Sequence, residues 1–574
     1  MKHYFTLVVV GILLWVPSAP AFDYVEMTPL AERISPKIQD CRTTDQLTVP
    51  IRTSGAYVVP LMGNGYALST EPDSLFGKRD LDVRLVRQNR ITDQLAAYMA
   101  CEVPILCGTQ GMINLAADIT EADPRTEMVA IYQHAWSNGG DALVARASIK
   151  TPADLSGARI AAQAYGPHLE YANRVIADAR RTVKEGGGTW TEPTLVYTED
   201  LLGFDGHTPG RAFLSDDGLD AAFVMTADAN VLTSGGTTGT GAEGSVKGAH
   251  ILLSTKSASR VLSEIYVVRR DFFEKNRETV QAFVSALLKA EELVREDVLK
   301  LIVDWEAVAR HLLDDPGATA DAEALWAGVE TVGMRGNVDW ADPQAPRSFA
   351  AVNNEIQNGF VDRGLMRQAY ALEMARWDYG AISGGLFDQR RAELPGFDEG
   401  QAGQVVDRMK QTGDLEKETL FSFEINFKPN QQGFPVKTYE DEFERVIELA
   451  STYGGAVLTV EGHSDPLNYL RRKAKGAPRH ELRSIRQAAR NLSVNRAMAV
   501  RDAIIELGES RGVSMDESQF VTVGYGITEP KTGMCGGDPC PPKTEAEWRS
   551  NMRVSFRIVQ VEAEADVFTP INTW

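Results

Sequence analysis

Positive charge is what this chain is short of. Its 59 Lys and Arg residues face 79 Asp and Glu, a formal charge of −20 over 574 residues. A surface of that sign repels phosphate backbones, which excludes nucleic acid as a natural partner. Cysteine is scarce as well. Five residues are too few for a disulfide-built scaffold at this length. They form no paired ligand sets of the structural-zinc kind, and His480-Glu481 opens a zinc-helix pattern in which Ser484 stands where the second histidine belongs. No metal and no cofactor is expected. Beyond the first 21 residues no apolar run approaches the roughly 20 needed to span a bilayer. The one G-x-G-x-x-G match, Gly239 to Gly244, lies in a Gly/Ser/Thr-rich run without the preceding strand and following helix of a dinucleotide site, and reads as a surface loop.

What is present is an ordinary globular composition, 43% hydrophobic and 24% charged. The chain is longer than one core supports, since cores stop growing at about 250 to 300 residues, so at least two domains are expected. At the N-terminus, Lys2 and His3 precede the apolar run Phe5 to Val16, and Ala19-Pro20-Ala21 supplies small residues for cleavage. Residues 1–21 therefore read as a secretory signal, with the mature protein starting at Phe22. An oxidising compartment follows. Cys535 and Cys540 bracket Gly-Gly-Asp-Pro, a spacing that favours a short loop disulfide, while Cys41, Cys101 and Cys107 leave one thiol over with the pairing open.

From Gln46 to about Leu293, short β-branched runs alternate with amphipathic stretches, the pattern of an α/β fold with largely parallel strands. Strands are predicted over 47–52, 81–87, 103–107, 159–163, 194–197 and 221–225, with a crossing pair at 127–134 and 141–147. Helices are predicted over 91–100, 167–183 and 279–294. Three segments carry a resemblance: Ile149-Lys150-Thr151-Pro152-Ala153-Asp154-Leu155-Ser156-Gly157, Gly218-Leu219-Asp220-Ala221, and Glu264 to Asn276 with the helix after it. They resemble the periplasmic solute-binding proteins of ABC importers, in the branch that handles nitrate, alkylsulfonates and thiamine precursors. The resemblance implies a two-lobed clamp over 45–378, a small-molecule solute, and an importer permease as partner.

Such a clamp binds where strand C-termini meet helix N-termini, because backbone N–H groups there are unpaired and the dipole favours anions. That logic selects Thr53, Ser54, Gly55 and Tyr57, then Thr109 and Gln110, then Gln163 and Tyr165, and finally Thr226. Tyr57, Trp136 and Tyr165 are candidates to enclose a flat or apolar solute. Any one of these side chains serves equally as a loop cap or core aromatic. Their shared position at strand ends is what singles them out.

After Asp378 the texture turns Gly-rich, and a linker is placed over 379–418. The remainder reads β-α-β-α-β, with strands over 420–427, 456–462, 520–525 and 553–559 and helices over 439–453 and 493–507. Three motifs, Gly462-His463-Ser464-Asp465, Leu492-Ser493-Val494-Asn495-Arg496-Ala497, and Gly524-Tyr525-Gly526 with Asn551-Met552-Arg553-Val554, resemble the OmpA-like peptidoglycan-binding domain over 419–562. By that resemblance Asp465 takes the ammonium and Arg496 the carboxylate of a diaminopimelate stem, the latter through a planar fork that Lys cannot copy. The alternative role for Arg496 is an ion pair with Asp465 itself. Arg553 is expected to brace the last strand. Ala489 stands where the family carries Asn, and the basic stretch from Pro466 to Arg490 reads as a solvated insertion able to meet anionic wall polymers.

The overall expectation is a two-lobed α/β clamp followed by a smaller α/β OmpA-like domain, non-catalytic, located in the periplasm in association with the cell wall or outer membrane. The alternative is a wall-targeted enzyme acting on peptidoglycan or its peptides. It lacks a nucleophile and base at convincing spacing, and Pro466 interrupts the elbow that His463-Ser464 imitates.

Overall fold

The computed structural model describes residues 22–41, 45–384, 386, 399–413, 415, 419–426, 436–513 and 515–560. The signal read over 1–21 lies outside them, as do parts of the 379–418 linker. No helix among the described residues is long and apolar enough to cross a membrane.

The chain opens with the parallel pair β1 (Gln46–Ile51) and β2 (Asp82–Arg87). β3 (Ile105–Thr109) and β4 (Met128–Ser137) follow, and Asn138-Gly139-Gly140 leads into a second sheet. That sheet contains β5 (Asp141–Ala145), β6 (Arg159–Gln163), β7 (Thr194–Thr198), β8 (Ala221–Met225) and β9 (His250–Ser254) in the order β7-β6-β8-β5-β9. The chain then returns through residues 255–262 to β10 (Ser263–Arg269), which lies beside β3 and β4, with β11 (Val329–Thr331) at the edge and β12 (Glu373–Met374) against β4. Every residue of β4, β5 and β10 is buried. This is why these strands read as continuous apolar runs and not as alternating ones.

The expectation of largely parallel strands is corrected. β6 is parallel to β7 and β8, but β10 runs antiparallel to β3 and β4, and β5 antiparallel to β8 and β9. The reason is topological. One pair of strands carries the chain out of the first lobe and the other carries it back, so neighbours on that path must oppose each other.

Helix Arg277–Leu299 covers the first lobe, and helix His168–Glu185 packs in the second. Helix Phe349–Asp362 touches both. Gln110 Nε2 donates to Phe349 O at 3.0 Å, Asn114 Nδ2 to Asn353 Oδ1 at 2.8 Å, and a Cβ on Gly359 would sit 1.9 Å from Asn173 Oδ1. A side chain at 359 would have to displace the Asn173 amide from this contact with the second lobe.

A separate sheet forms the C-terminal unit: β13 (Thr419–Asn426), β14 (Val457–His463), β15 (Phe520–Gly526), a small hairpin of β16 (Met534–Cys535) and β17 (Asp538–Pro539), and β18 (Arg553–Val559). Its order is β13-β18-β14-β15, with β14 parallel to β15 and β18 antiparallel to both neighbours. The second helix starts at Arg479, not near Ser493, and runs to Ser510, preceded by helix Leu467–Ala474. The basic stretch is thus a helical hairpin, as its Arg, Lys, Leu and Ala content favours and as Pro478 just outside the helix start permits. Cys535 bonds to Cys540 as expected, Cys41 to Cys101, and Cys107 is free and buried.

Candidate functional site

The strand ends of the two lobes enclose a cavity of about 1560 Å³. Arg52 to Gly55 and Thr109 bound it from the first lobe, Thr226 to Asp228 from the second, and residues between 313 and 329 close it from above. The crossing segments form its floor. Asp141 accepts from Ser137 Oγ at 2.5 Å and bonds His168 Nε2 at 2.7 Å, while Thr255 Oγ1 accepts Gly139 N at 3.0 Å and Asp141 N at 3.1 Å. Glu264 accepts from Tyr57 OH at 2.9 Å and from Arg52 Nη1 at 3.2 Å. Burial pushes the Glu264 carboxyl above its ordinary value, and Arg52 offsets only part of that.

Several contacts span the lobes, among them the Arg90 guanidinium, which pairs with Glu199 at 3.1 Å and Asp200 at 2.6 Å, and a buried one beside the cleft. Glu170, in the first turn of helix His168–Glu185, accepts from Gly111 N at 2.5 Å, at the start of the helix that follows β3. Burial holds its carboxyl well above the usual range, although the Thr109 hydroxyl and Gly111 N–H pull the other way. The donors after β3 are thus engaged by the protein's own carboxylate.

Five of the nine sequence candidates, Thr53, Ser54, Gly55, Thr109 and Thr226, line this cleft. Ser54 and Thr109 cap the helical turns that follow them, through Ala56 N and Met112 N, and the Thr226 hydroxyl donates to Gly139 O at 2.6 Å. The other four do not line it. Tyr57 is fully buried among His134 and Tyr266 and supports Glu264 from beneath. Gln110 is fully buried and ties helix Phe349–Asp362 to the first lobe. Gln163 and Tyr165 face a separate cavity of about 400 Å³, where the Tyr165 hydroxyl donates to Thr28 O at 2.7 Å. The N-terminal segment covers them, with Val25 bridged to Tyr197. Trp136, nearly buried, lies under the Arg260 guanidinium at 5.9 Å and does not line the cleft. Sequence reasoning missed Lys150, Asp228 and Lys256, which do line it. Lys150 stood inside a quoted motif and Asp228 two residues beyond Thr226, so the strand-end rule reached their neighbourhood.

In the C-terminal unit, close glycine packing seats the long helix on the strand ends. A Cβ on Gly462 would lie 2.0 Å from Ser493 O and one on Gly524 2.3 Å from Val494 Cγ2, while Ser493 Oγ accepts Gly526 N at 2.9 Å. This places Arg496 beside the end of β14, where Asp465 follows. Arg496 is 4% exposed, yet its Nε has no hydrogen-bond partner, and the buried Asp465 Oδ1 has none either. No ion pair joins them among the described residues, so the self-neutralising alternative is not formed. Burial lowers the Arg496 pKa, and burial raises that of Asp465 against Leu467 N–H and Arg471. The Trp548 indole faces Asp465 without reaching hydrogen-bond geometry. Arg553 braces the last strand as expected, donating to Glu424 at 3.2 Å and to Glu529 O at 3.3 Å. Ser464 donates to Ala489 O at 3.1 Å, and burial holds His463 down to about 3.

Residues 74–297 match the family model described as NMT1/THI5 like. No curated protein matches the chain. Among solved structures, the chain is similar to the alkanesulfonate-binding protein SsuA from Xanthomonas axonopodis pv. citri bound to MOPS, at 15% identity over 59% of this chain and 100% of that one, TM-score 0.39. It is similar to the periplasmic aliphatic sulphonate binding protein SsuA from Escherichia coli at 14% identity, over 58% and 95%, TM-score 0.38. The desulfurization enzyme DSZB matches at 14% identity, over 59% and 99%, TM-score 0.37.

Proposed function

We propose that this protein is a non-catalytic solute-binding clamp of the ABC-import type, held to the cell wall by its C-terminal unit. The observation that carries the first half is the cleft itself: two sheets joined by two crossing segments, with strand ends converging on a polar floor. The family-model match over 74–297 includes both crossings and supports the same reading. Closure of two such lobes about a hinge is how a solute is taken up by receptors of this construction. In this reading the solute is a small molecule of the sulfonate, nitrate or thiamine-precursor type, the location is the periplasm, and an importer permease receives the closed form.

The wall-binding half rests on Asp465 and Arg496, an anion and a cation that form no ion pair with each other and that each keep one buried polar atom, Oδ1 and Nε, without a hydrogen-bond partner. A zwitterionic diaminopimelate stem supplies the missing charges. Co-sedimentation of the full chain with purified peptidoglycan tests this. Asp465→Ala and Arg496→Ala are each expected to abolish it, because truncating one member of a buried charge pair costs about 2 to 5 kcal/mol, more than tenfold in affinity. Arg496→Lys is expected to weaken it. Undiminished sedimentation of the folded alanine variants removes the wall-binding half.

A further inference from the structure

Between residues 467 and 490 the chain carries eight Lys and Arg against one acid, Glu481, in a protein whose total charge is −20. Helix formation explains the residue types but not their sign. Arg479, Arg483, Arg486 and Arg490 fall at i, i+4, i+7 and i+11 on one face of helix Arg479–Ser510. Like charges at that spacing destabilise a helix.

Internal pairing absorbs only part of the charge. Arg472 meets Glu481 at 3.0 Å, and Lys473 and Arg486 meet Asp538. Arg471, Lys475, Arg479 and Arg483 are exposed and enter no ion pair among the described residues. The hairpin is nevertheless held in place. Tyr469 OH donates to Asp538 Oδ1 at 2.8 Å, the Arg486 guanidinium lies 4.6 Å over the Tyr469 ring, and Asp538 sits inside the Cys535–Cys540 loop.

We infer that this hairpin is an electrostatic arm that binds the carboxylates of peptidoglycan stem peptides neighbouring the one held at Asp465 and Arg496, an inference that rests on the wall-binding reading above. Its position fits. Asp465 precedes the first helix of the hairpin by two residues, and Arg490 and Arg496 share one helix, about 9 Å apart along its axis. Its chemistry fits as well, since six of the eight cations are arginine, whose fork matches carboxylates. A lipid surface fits less well. No large exposed apolar side chain falls between 467 and 490, so there is no wedge for a bilayer.

The test is sedimentation of the full chain with purified sacculi at rising NaCl, comparing the wild type with Arg471→Glu/Arg479→Glu/Arg483→Glu. The variant is expected to bind about tenfold more weakly at low salt and to converge with the wild type at high salt, as exposed charges do. The matching triple Gln variant, with less risk to folding, is expected to fall between them. Amidation of the sacculus carboxylates is expected to erase the difference. Wild-type binding and salt dependence in both folded variants overturn the proposal. So does loss of binding to phosphatidylglycerol vesicles with binding to sacculi intact, which assigns the arm to a membrane. If the arm variants lose binding while Asp465→Ala and Arg496→Ala do not, the site at those two residues fails and the arm stands without it.

Discussion

Arg174 is where the two halves of the chain meet. From helix His168–Glu185 it reaches Asp178 at 2.6 Å, Glu355 at 2.7 Å and, in the C-terminal unit, Glu448 at 3.0 Å. Burial alone would raise the Glu355 carboxyl, but Arg174 and Arg347 outweigh it and hold the group down to about 2. A depressed folded-state value contributes stability that is present above the ordinary 4.5 and lost as pH falls toward about 2. The melting temperature is therefore expected to fall across that window, with a shallower slope in Glu355→Gln; identical slopes in thermal scans at stepped pH contradict this. Arg174→Met removes one of the two cations at Asp178 and at Glu355, leaving Arg445 and Arg347, and is expected to cost about 3 kcal/mol, whereas Glu448→Gln, at a half-exposed partner, is expected to cost about 1 or less. Chemical denaturation of both variants checks the ranking. None of this was legible in the sequence, because nothing local marks Arg174 as the partner of a residue in another unit. The cleft was half legible. Strand ends led to Ser54, Thr109 and Thr226, which line the cleft, but position along a strand does not say whether the side chain turns to the cleft or, as at Tyr57 and Gln110, into the core.

Among elements, strands were the easiest to read. β6 and β8 carry the predicted bounds, because apolar runs bounded by Gly, Asp and Thr leave little choice. Helix ends were harder. The long C-terminal helix was expected from 493, where its buried stripe begins, yet it begins at Arg479, since its first turns face solvent and carry no apolar period. The brace on that exposed part is the Cys535–Cys540 loop through Asp538. Cys535→Ser/Cys540→Ser is expected to speed amide exchange over 467–474 while leaving β14 and β18 protected. Unchanged exchange in the hairpin would show that Asp538 does not depend on the disulfide for its position.

For the whole molecule, the C-terminal unit rests on the hinge. Arg260 N donates to Thr452 O and Gly455 N to Ser257 O, each at 3.2 Å, so the return crossing is hydrogen-bonded to the turn that precedes β14. Arg445 pairs with Asp178 at 2.9 Å, and the Tyr453 hydroxyl donates to the same carboxylate at 2.9 Å. A Cβ on Gly455 would lie 1.7 Å from Lys256 O, a gap that only glycine tolerates. Gly455→Val is expected to undock the unit, seen as a larger radius of gyration in scattering, and a wild-type profile contradicts the contact. Leu420 and Gln560 of the same unit also line the cleft. The central claim is that the cleft takes a small solute. Thermal unfolding of the full chain against alkanesulfonates, nitrate and thiamine precursors tests it directly, alongside Ala227→Trp, which adds bulk to the cleft from an exposed helical position. A solute at about 100 times its Kd stabilises by about 2.7 kcal/mol. The account predicts a raised melting temperature with at least one of these solutes in the wild type and none in Ala227→Trp; no shift with any solute, or an equal shift in that variant, contradicts it.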